Sequence, residues 1–574
     1  MKMKNKVVLV IILLALISLG FSANHSFCQS VQWAKAIGGT LDDNGFSITT
    51  DVSGNVYTTG TFEGTVDFDP GSGIYNLTTS GIRVFISKLD ADGNFLWAKV
   101  LDGSSTTESY SLCIDASGSV YTIGYFGGIT DFDPDSATYN LTTSGFKDIF
   151  ISKLSADGNF LWARNFGGTS DDFGYSITTD DSGNVYTTGT FKGTADFDPG
   201  TGTYNLTSAG DFDIFISKLD ANGNFLWAKT IGGTSIDQGY SVDTDASGNV
   251  YTTGYFYGTA DFDPGTGTYN LTSAGKEDIF ISKLSAEGNF LWAVFIGTTS
   301  TDIGYSITID ASGNVYSTGS FKNTVDFDPG TGTYNLVSNG GSDVFVSKLD
   351  DSGNFLWAAA MGGQSGDVGN SITADKSGNV YTTGYFSGSG DFDPGVETYN
   401  LSSTSSFQQS FVSILNTSGN FQWAGAMNGT KSIISKSIAV DSLGNVFTTG
   451  SFIDSADVDP GVGTYYLTSG ESDENIFISK LSKITTGLME SVFENNFVIY
   501  PNISAGKFRI RVQNSASVKF LSLDIYNILG EKIYSIENIN KTNIEINLSY
   551  YSKGIYFVKI NDGMKNYHQK IIVQ

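Results

Sequence analysis

The sequence predicts an all-β protein, a seven-bladed β-propeller followed by a small immunoglobulin-like β-sandwich. Three observations predict it. One stretch of text recurs along most of the chain, and its tryptophan falls at Trp33, Trp97, Trp162, Trp227, Trp292, Trp357 and Trp423, in steps of 64 to 66 residues. Each copy holds four short runs of β-branched and aromatic residues. The first and last copies are halves, each with what the other lacks. Self-similarity at a fixed period sets the architecture before local propensity does.

Residues 1–28 read as a signal peptide. Lys2, Lys4 and Lys6 precede an apolar run from Val7 to Leu19, followed by small and polar residues. The run is short for a membrane span, and no other segment is apolar enough to cross a bilayer. Cleavage falls either after Ser22 or between Cys28 and Gln29. Phe27 stands where a lipoprotein cysteine would be preceded by a small residue.

Residues 29–486 form the propeller. In one copy, Tyr240–Asp245 (strand a) and Val250–Phe256 (strand b) flank the turn Ala246-Ser247-Gly248-Asn249. Strand c, Ile214–Asp220, and strand d, Phe225–Ile231, flank Ala221-Asn222-Gly223-Asn224. Gly and Asn tolerate the positive φ that tight hairpins need. Ile149, Phe150, Ile151 and Leu154 put apolar side chains on both faces of one strand, as in a sheet covered on both sides. Such sheets, each packed between two others, make a propeller. The array opens on Val31-Gln32-Trp33-Ala34-Lys35, a strand d without its strand c. It closes on Ile476–Leu481, a strand c without its strand d. The N-terminal strand is therefore expected beside residues 476–481, closing the ring and removing an exposed edge.

In an up-and-down sheet the a–b and c–d turns share one face, and the b–c and d–a connections share the other. The second face carries the long loops, where binding usually resides. It also gathers acid. Asp-x-Asp-Pro occurs seven times, at Asp67 and Asp69, Asp131 and Asp133, Asp196 and Asp198, Asp261 and Asp263, Asp326 and Asp328, Asp391 and Asp393, and Asp457 and Asp459. The d–a loops add Asp43, Asp172, Asp237, Asp302 and Asp367. Hard oxygen ligands in such number suggest Ca2+. The same aspartates before Pro-Gly also serve as turn formers that cap backbone N–H groups. The tryptophans read as sugar platforms or as inter-blade core; one large aromatic at the same place in each copy favours core.

Catalysis must break the repeat symmetry, and the material for it is scarce. The two histidines are His25 and His568, both outside the propeller. A Ser-His or Cys-His constellation and a histidine metal site are thereby excluded there. The clearest asymmetries are Gly429–Lys436, where lysine replaces acid, and Asp102–Glu108. Cys113 has no partner in the mature body and reads as a small apolar residue. Net charge is −27; residues 487–574 and the first 28 carry +3 each, which leaves −33 on the propeller. That charge disfavours nucleic acid and anionic membrane surfaces.

Residues 487–574 abandon the period. Seven short alternating strands in about 80 residues suggest a small β-sandwich.

Through the GN-FLWAK, D-SGNVYTTG and D-FISKLD segments, residues 31–481 resemble the bacterial seven-bladed β-propeller repeat family, which implies a fold and no activity. Tyr500-Pro501-Asn502, Ile525-Tyr526-Asn527-Ile528-Leu529-Gly530, Gly554–Ile560 and Lys570-Ile571-Ile572 resemble the C-terminal sorting domain of the type IX secretion system. Ile503 departs from that pattern, which has proline there. The resemblance implies export across both membranes, secretion machinery as a partner, and release or surface attachment. The expected role is a secreted or cell-surface binding and adhesion scaffold without enzymatic activity, with a glycan or protein ligand. The rival reading is a secreted polysaccharide lyase or hydrolase with a carboxylate site on the long-loop face.

Overall fold

The strand text pairs as its turns dictate. The computed structural model describes residues 29–461, 463–470 and 473–483, and in the C-terminal part 497–500, 503–504, 506–512, 522–527, 530–537, 543–561 and 566–573. The expected signal peptide, the link after Lys483 and Pro501-Asn502 lie outside the described residues. Every element among the described residues is a strand.

Residues 107–168 show one unit. Thr107–Ile114 (a), Val120–Phe126 (b), Asp148–Leu154 (c) and Phe160–Gly168 (d) pair in that order, each antiparallel to the next. Strands b and c are buried at every position, because neighbouring sheets cover both faces. The c–d turn places Gly158 at φ 80°, a region where an L side chain is strained. Six further four-stranded units repeat this order around the chain. In the last, Ile433–Val440, Val446–Ile453 and Glu474–Lys483 are completed by Gln29–Ile37, which pairs antiparallel with Glu474–Lys483.

The innermost strands form a circuit. The serine of each strand a accepts a hydrogen bond from a backbone N–H of the next: Leu112 to Ser47, Ile177 to Ser111, Val242 to Ser176, Ile307 to Ser241, Ile372 to Ser306, Ile438 to Ser371, and Ile48 to Ser437. The last bond joins residues 389 positions apart. Farther out, strand d meets the next unit's c–d turn. The Trp227 indole N–H and the Lys218 ammonium both donate to the Ala286 carbonyl. Lys218 also lies 4.7 Å over the Tyr186 ring, a cation–π contact. Five other copies make the same pair of bonds, to Ala91, Ala156, Ala221, Asp351 and Thr417. The tryptophans are thus inter-blade elements. At residue 414 isoleucine replaces the lysine.

The b–c inserts fold as short hairpins at the rim. Thr259–Asp261 pairs with Asn270–Thr272 on one side and with the end of the preceding unit's strand d, Gly232-Gly233, on the other. The Phe of each Asp-Phe-Asp is fully buried; Phe262 packs on Phe256 and Phe280.

The chain divides into two compact units, Met1–Ile484 and Thr485–Gln574. In the second, Phe497–Tyr500, Lys507–Val512 and Asn543–Asn547 form one sheet. Ile503-Ser504, Asn566–Val573, Gly554–Asn561, Ser522–Asn527 and Lys532–Glu537 form another. Phe508, Ile510, Ile544 and Ile546 from the first share a core with Leu523, Ile525, Val558 and Ile560 from the second.

Candidate functional site

The seven Asp-x-Asp-Pro copies have one geometry. Oδ1 of the first aspartate accepts the N–H of the second and the N–H of a tyrosine eight residues on, as Asp196 does from Asp198 and Tyr204. Oδ1 of the second accepts the N–H two residues later, as Asp198 does from Gly200. The same bonds recur at Asp67 with Asp69 and at Asp131 with Asp133. They recur at Asp261 with Asp263 and at Asp326 with Asp328. Asp391 with Asp393 and Asp457 with Asp459 complete the set. Each pair therefore holds its own loop.

These bonds are those of the turn-forming role that the sequence offers for these aspartates beside Ca2+. Among the described residues no group of three or more His, Cys, Asp or Glu side chains is placed to hold a metal ion. The first aspartates, Asp67, Asp131, Asp196, Asp261, Asp326, Asp391 and Asp457, do not converge with one another or with a third acid. Nor do the second aspartates, Asp69, Asp133, Asp198, Asp263, Asp328, Asp393 and Asp459. The physical reason is local: Oδ1 of each is taken by backbone N–H groups of its own turn, and each turn sits on a separate blade.

The d–a aspartates behave differently. Asp43, Asp172, Asp237, Asp302 and Asp367 are buried. Oδ2 of Asp172 accepts the Gly168 N–H at 2.7 Å and Oδ1 the Lys192 N–H at 3.1 Å, stapling the d–a loop to strand b. Asp43, Asp237, Asp302 and Asp367 make the equivalent two bonds. Burial raises all five carboxyls, to about 7 for Asp43 and Asp172 and about 6 for the others. The sequence puts them on the long-loop face with the rim acids; the structure buries them within it.

A second buried set escaped the sequence reading. Asp148, Asp213, Asp278 and Asp343 open strand c in four consecutive units. Oδ2 of each accepts a backbone N–H, from Ser144, Ala209, Ala274 and Asn339 respectively. The signal was present as Asp before an apolar run, but it reads equally as a loop residue.

Asymmetry concentrates on the axis. Equivalent positions of strand a carry Phe46, Tyr110, Tyr175, Tyr240, Tyr305, Asn370 and Lys436. All seven are half-buried. The five rings form a chain from unit to unit, with centroids 5.4 to 5.6 Å apart. Asn370 donates to the Ser435 carbonyl at 2.7 Å. Burial pulls the Lys436 ammonium down, against the opposing charge of Glu474. The Tyr110 hydroxyl donates to Glu108, and that of Tyr240 to Gln238. Lys147 lies 4.3 Å over Tyr125 and 5.2 Å over Phe173. Cys113 lies partly buried on strand a and packs against the apolar core of its junction. Residue reading alone flagged the stretches containing Lys436 and Glu108, but not that five aromatic rings 64 or 65 residues apart meet.

An all-strand repeat body joined to a sorting module defines an exported β-propeller protein. Comparison with known families makes this particular. Residues 161–190, 357–392 and 425–451 match the β-propeller repeat. Residues 498–574 match the secretion system C-terminal sorting domain. The chain thus carries β-propeller repeats and a type IX secretion C-terminal sorting domain, and it is secreted or carried to the cell surface. No helix among the described residues is long and apolar enough to cross a membrane. An uncharacterized WD repeat-containing protein, L264 of Acanthamoeba polyphaga mimivirus, is 26% identical over 513 residues, 74% of this chain and 36% of that protein. The regulatory protein FlaEY of Caulobacter vibrioides is 24% identical over 226 residues, 39% of this chain and 23% of that one. The chain thus spans about a third or less of these relatives. Among solved structures, Sqt1 from Chaetomium thermophilum shares 10% identity with a TM-score of 0.30, covering 74% of this chain and 97% of that one. A structural genomics protein of unknown function from Bacteroides thetaiotaomicron shares 11%, with a TM-score of 0.24, covering 80% and 100%. At these scores neither likeness carries an argument.

Proposed function

We propose that the protein is a non-enzymatic binding scaffold at the cell surface, and that its ligand is held at the axis. The supporting observation is the row of Phe46, Tyr110, Tyr175, Tyr240 and Tyr305 interrupted by Asn370 and Lys436. Elsewhere the copies make near-identical bonds. Here seven equivalent positions carry four residue types, so the axis presents one asymmetric site instead of seven equal ones. Aromatic faces beside an amide and an ammonium suit a ligand with both flat apolar and polar surfaces, such as a sugar or a protein side chain. The sorting domain supplies the route outward.

The test is a glycan and protein array probed with the secreted protein and with Tyr240→Ala and Lys436→Ala variants. The expected result is specific capture that falls at least tenfold in either variant, with the captured ligand recovered intact. Capture unchanged in both variants removes the axis as the site. Ligand recovered cleaved or eliminated favours the enzyme reading instead.

A further inference from the structure

We propose that four consecutive blade junctions each contain a buried proton-binding site, an aspartate pair sharing one proton at neutral pH: Asp148 with Asp172, Asp213 with Asp237, Asp278 with Asp302, and Asp343 with Asp367.

The geometry comes first. The strand-c aspartate of each pair has one oxygen, Oδ1, that is buried without a hydrogen-bond partner. Its companion from the d–a loop accepts the N–H of the residue that follows the glycine on which the strand-c aspartate packs, Gly168, Gly233, Thr298 or Gly363. A Cβ built on Gly362 would stand 3.0 Å from Asp343 Oδ1 and 2.7 Å from Asp367 Oδ2. With both groups ionised, two like charges would share a dry space and one oxygen would lack any donor, a costly state. One proton removes both problems. On Oδ1 of the strand-c aspartate it turns an orphan acceptor into a donor, and the companion's Oδ2 is the acceptor beside it. In the Asp213, Asp278 and Asp343 pairs the charge stays on the d–a aspartate, where two backbone N–H groups favour the ionised form; in the first pair Asn165 and Gly145 also favour the charged form of Asp148, and the proton is shared with Asp172.

The other three junctions act as internal controls. Arg83 stands opposite Thr107 and pairs with Asp102 at 2.7 Å. Gln409 stands opposite Ile433 and accepts the Gly429 N–H. Asn475 packs on Gly38, and Asp43 accepts the Gly39 N–H beside it. No junction without a pair opposes two carboxyls at these positions, and the Asn475–Asp43 junction already has an amide donor in place of an acid.

Burial holds all eight carboxyls at about 6 to 7. The neighbouring acids Asp171, beside Asp172, and Glu277, beside Asp278, push the same way. These folded values lie above the unfolded one. The stability that the proton supplies is therefore complete below about pH 4 and is lost as pH rises through 6 to 7. Histidine, the usual titrator in that window, occurs only at positions 25 and 568.

The experiment is a thermal melt of the full chain from pH 5 to 8 at constant ionic strength, for the parent and for the quadruple Asp148→Asn, Asp213→Asn, Asp278→Asn, Asp343→Asn variant. The amide supplies the donor at every pH. The parent melting temperature is expected to fall as pH rises. The variant should lose most of that slope and melt above the parent at pH 8; Asp43 and Asp243, also raised by burial, set the residue. An equal slope in both proteins overturns the proposal. So does stabilisation of the parent at pH 8 by calcium or sodium that vanishes in the variant, which would put a metal ion where the proton is placed. Infrared spectra of the parent need no folded variant. Buried protonated-carboxyl bands present at pH 6 and gone at pH 8 are expected, and their absence at pH 6 overturns the assignment.

Discussion

At the rim, Asp196 and Asp198 bend a loop; one layer inward, Asp172 and Asp148 meet at a blade junction. The residue type is the same and the surroundings are not. The rim carboxylates keep water on part of their surface while Oδ1 of each accepts backbone N–H groups within its own loop. The inner ones are buried and bind backbone N–H groups of strand d, strand b and the segment before strand c. Acid content therefore does not locate chemistry in this chain. Burial, more than the number of N–H donors, separates the turn-forming carboxyls from those held near neutrality.

The comparison sharpens in three graded experiments. The largest effect is expected from Phe197→Ala, since the ring is fully buried against Phe191 and Phe215. Loss of about 3 to 5 kcal/mol in denaturant unfolding is expected; a loss below about 1 kcal/mol would mean the insert is not part of the core. Asp43→Ala comes next. It leaves the Gly39 and Glu63 N–H groups without their acceptor in a buried place, for about 2 to 4 kcal/mol. The smallest effect belongs to the rim. Asp196→Ala removes bonds to two partly exposed N–H groups, and about 1 kcal/mol is expected. Melts in millimolar calcium and in matched sodium chloride should then coincide. A rise specific to calcium, lost in stages as rim aspartates are changed to Asn, would reverse the contrast and make the rim the binding region.

Much of the body was legible in the text. The period, the four strands per copy and the turn glycines are local signals, and Gly158 or Gly223 at positive φ is where the turn reading placed them. The complementary halves pointed to the pairing of Gln29–Ile37 with Glu474–Lys483. The sorting motifs at the end of the chain were equally plain, because they are recognised as linear text. The candidate site was less legible. Lys436 stood out as a departure from the repeat, yet Tyr175, Tyr240 and Tyr305 looked like ordinary strand aromatics. The rim acids were legible in part: Asp before Pro-Gly is a turn signal, and Oδ1 of Asp69 and Asp263 accepts a backbone N–H of its own turn.

The sequence by itself determined the strands, their order and the destination of the protein, since period, turn chemistry and terminal motifs are properties of neighbours along the chain. Tertiary structure alone decided which aspartates are buried, which of them meet, and which rings line the axis. Asp343 and Asp367 are 24 residues apart, and Tyr175 and Tyr240 are 65 apart. What they become depends on which strand edges close around them, and desolvation, the force that sets their chemistry, exists only once that packing is complete.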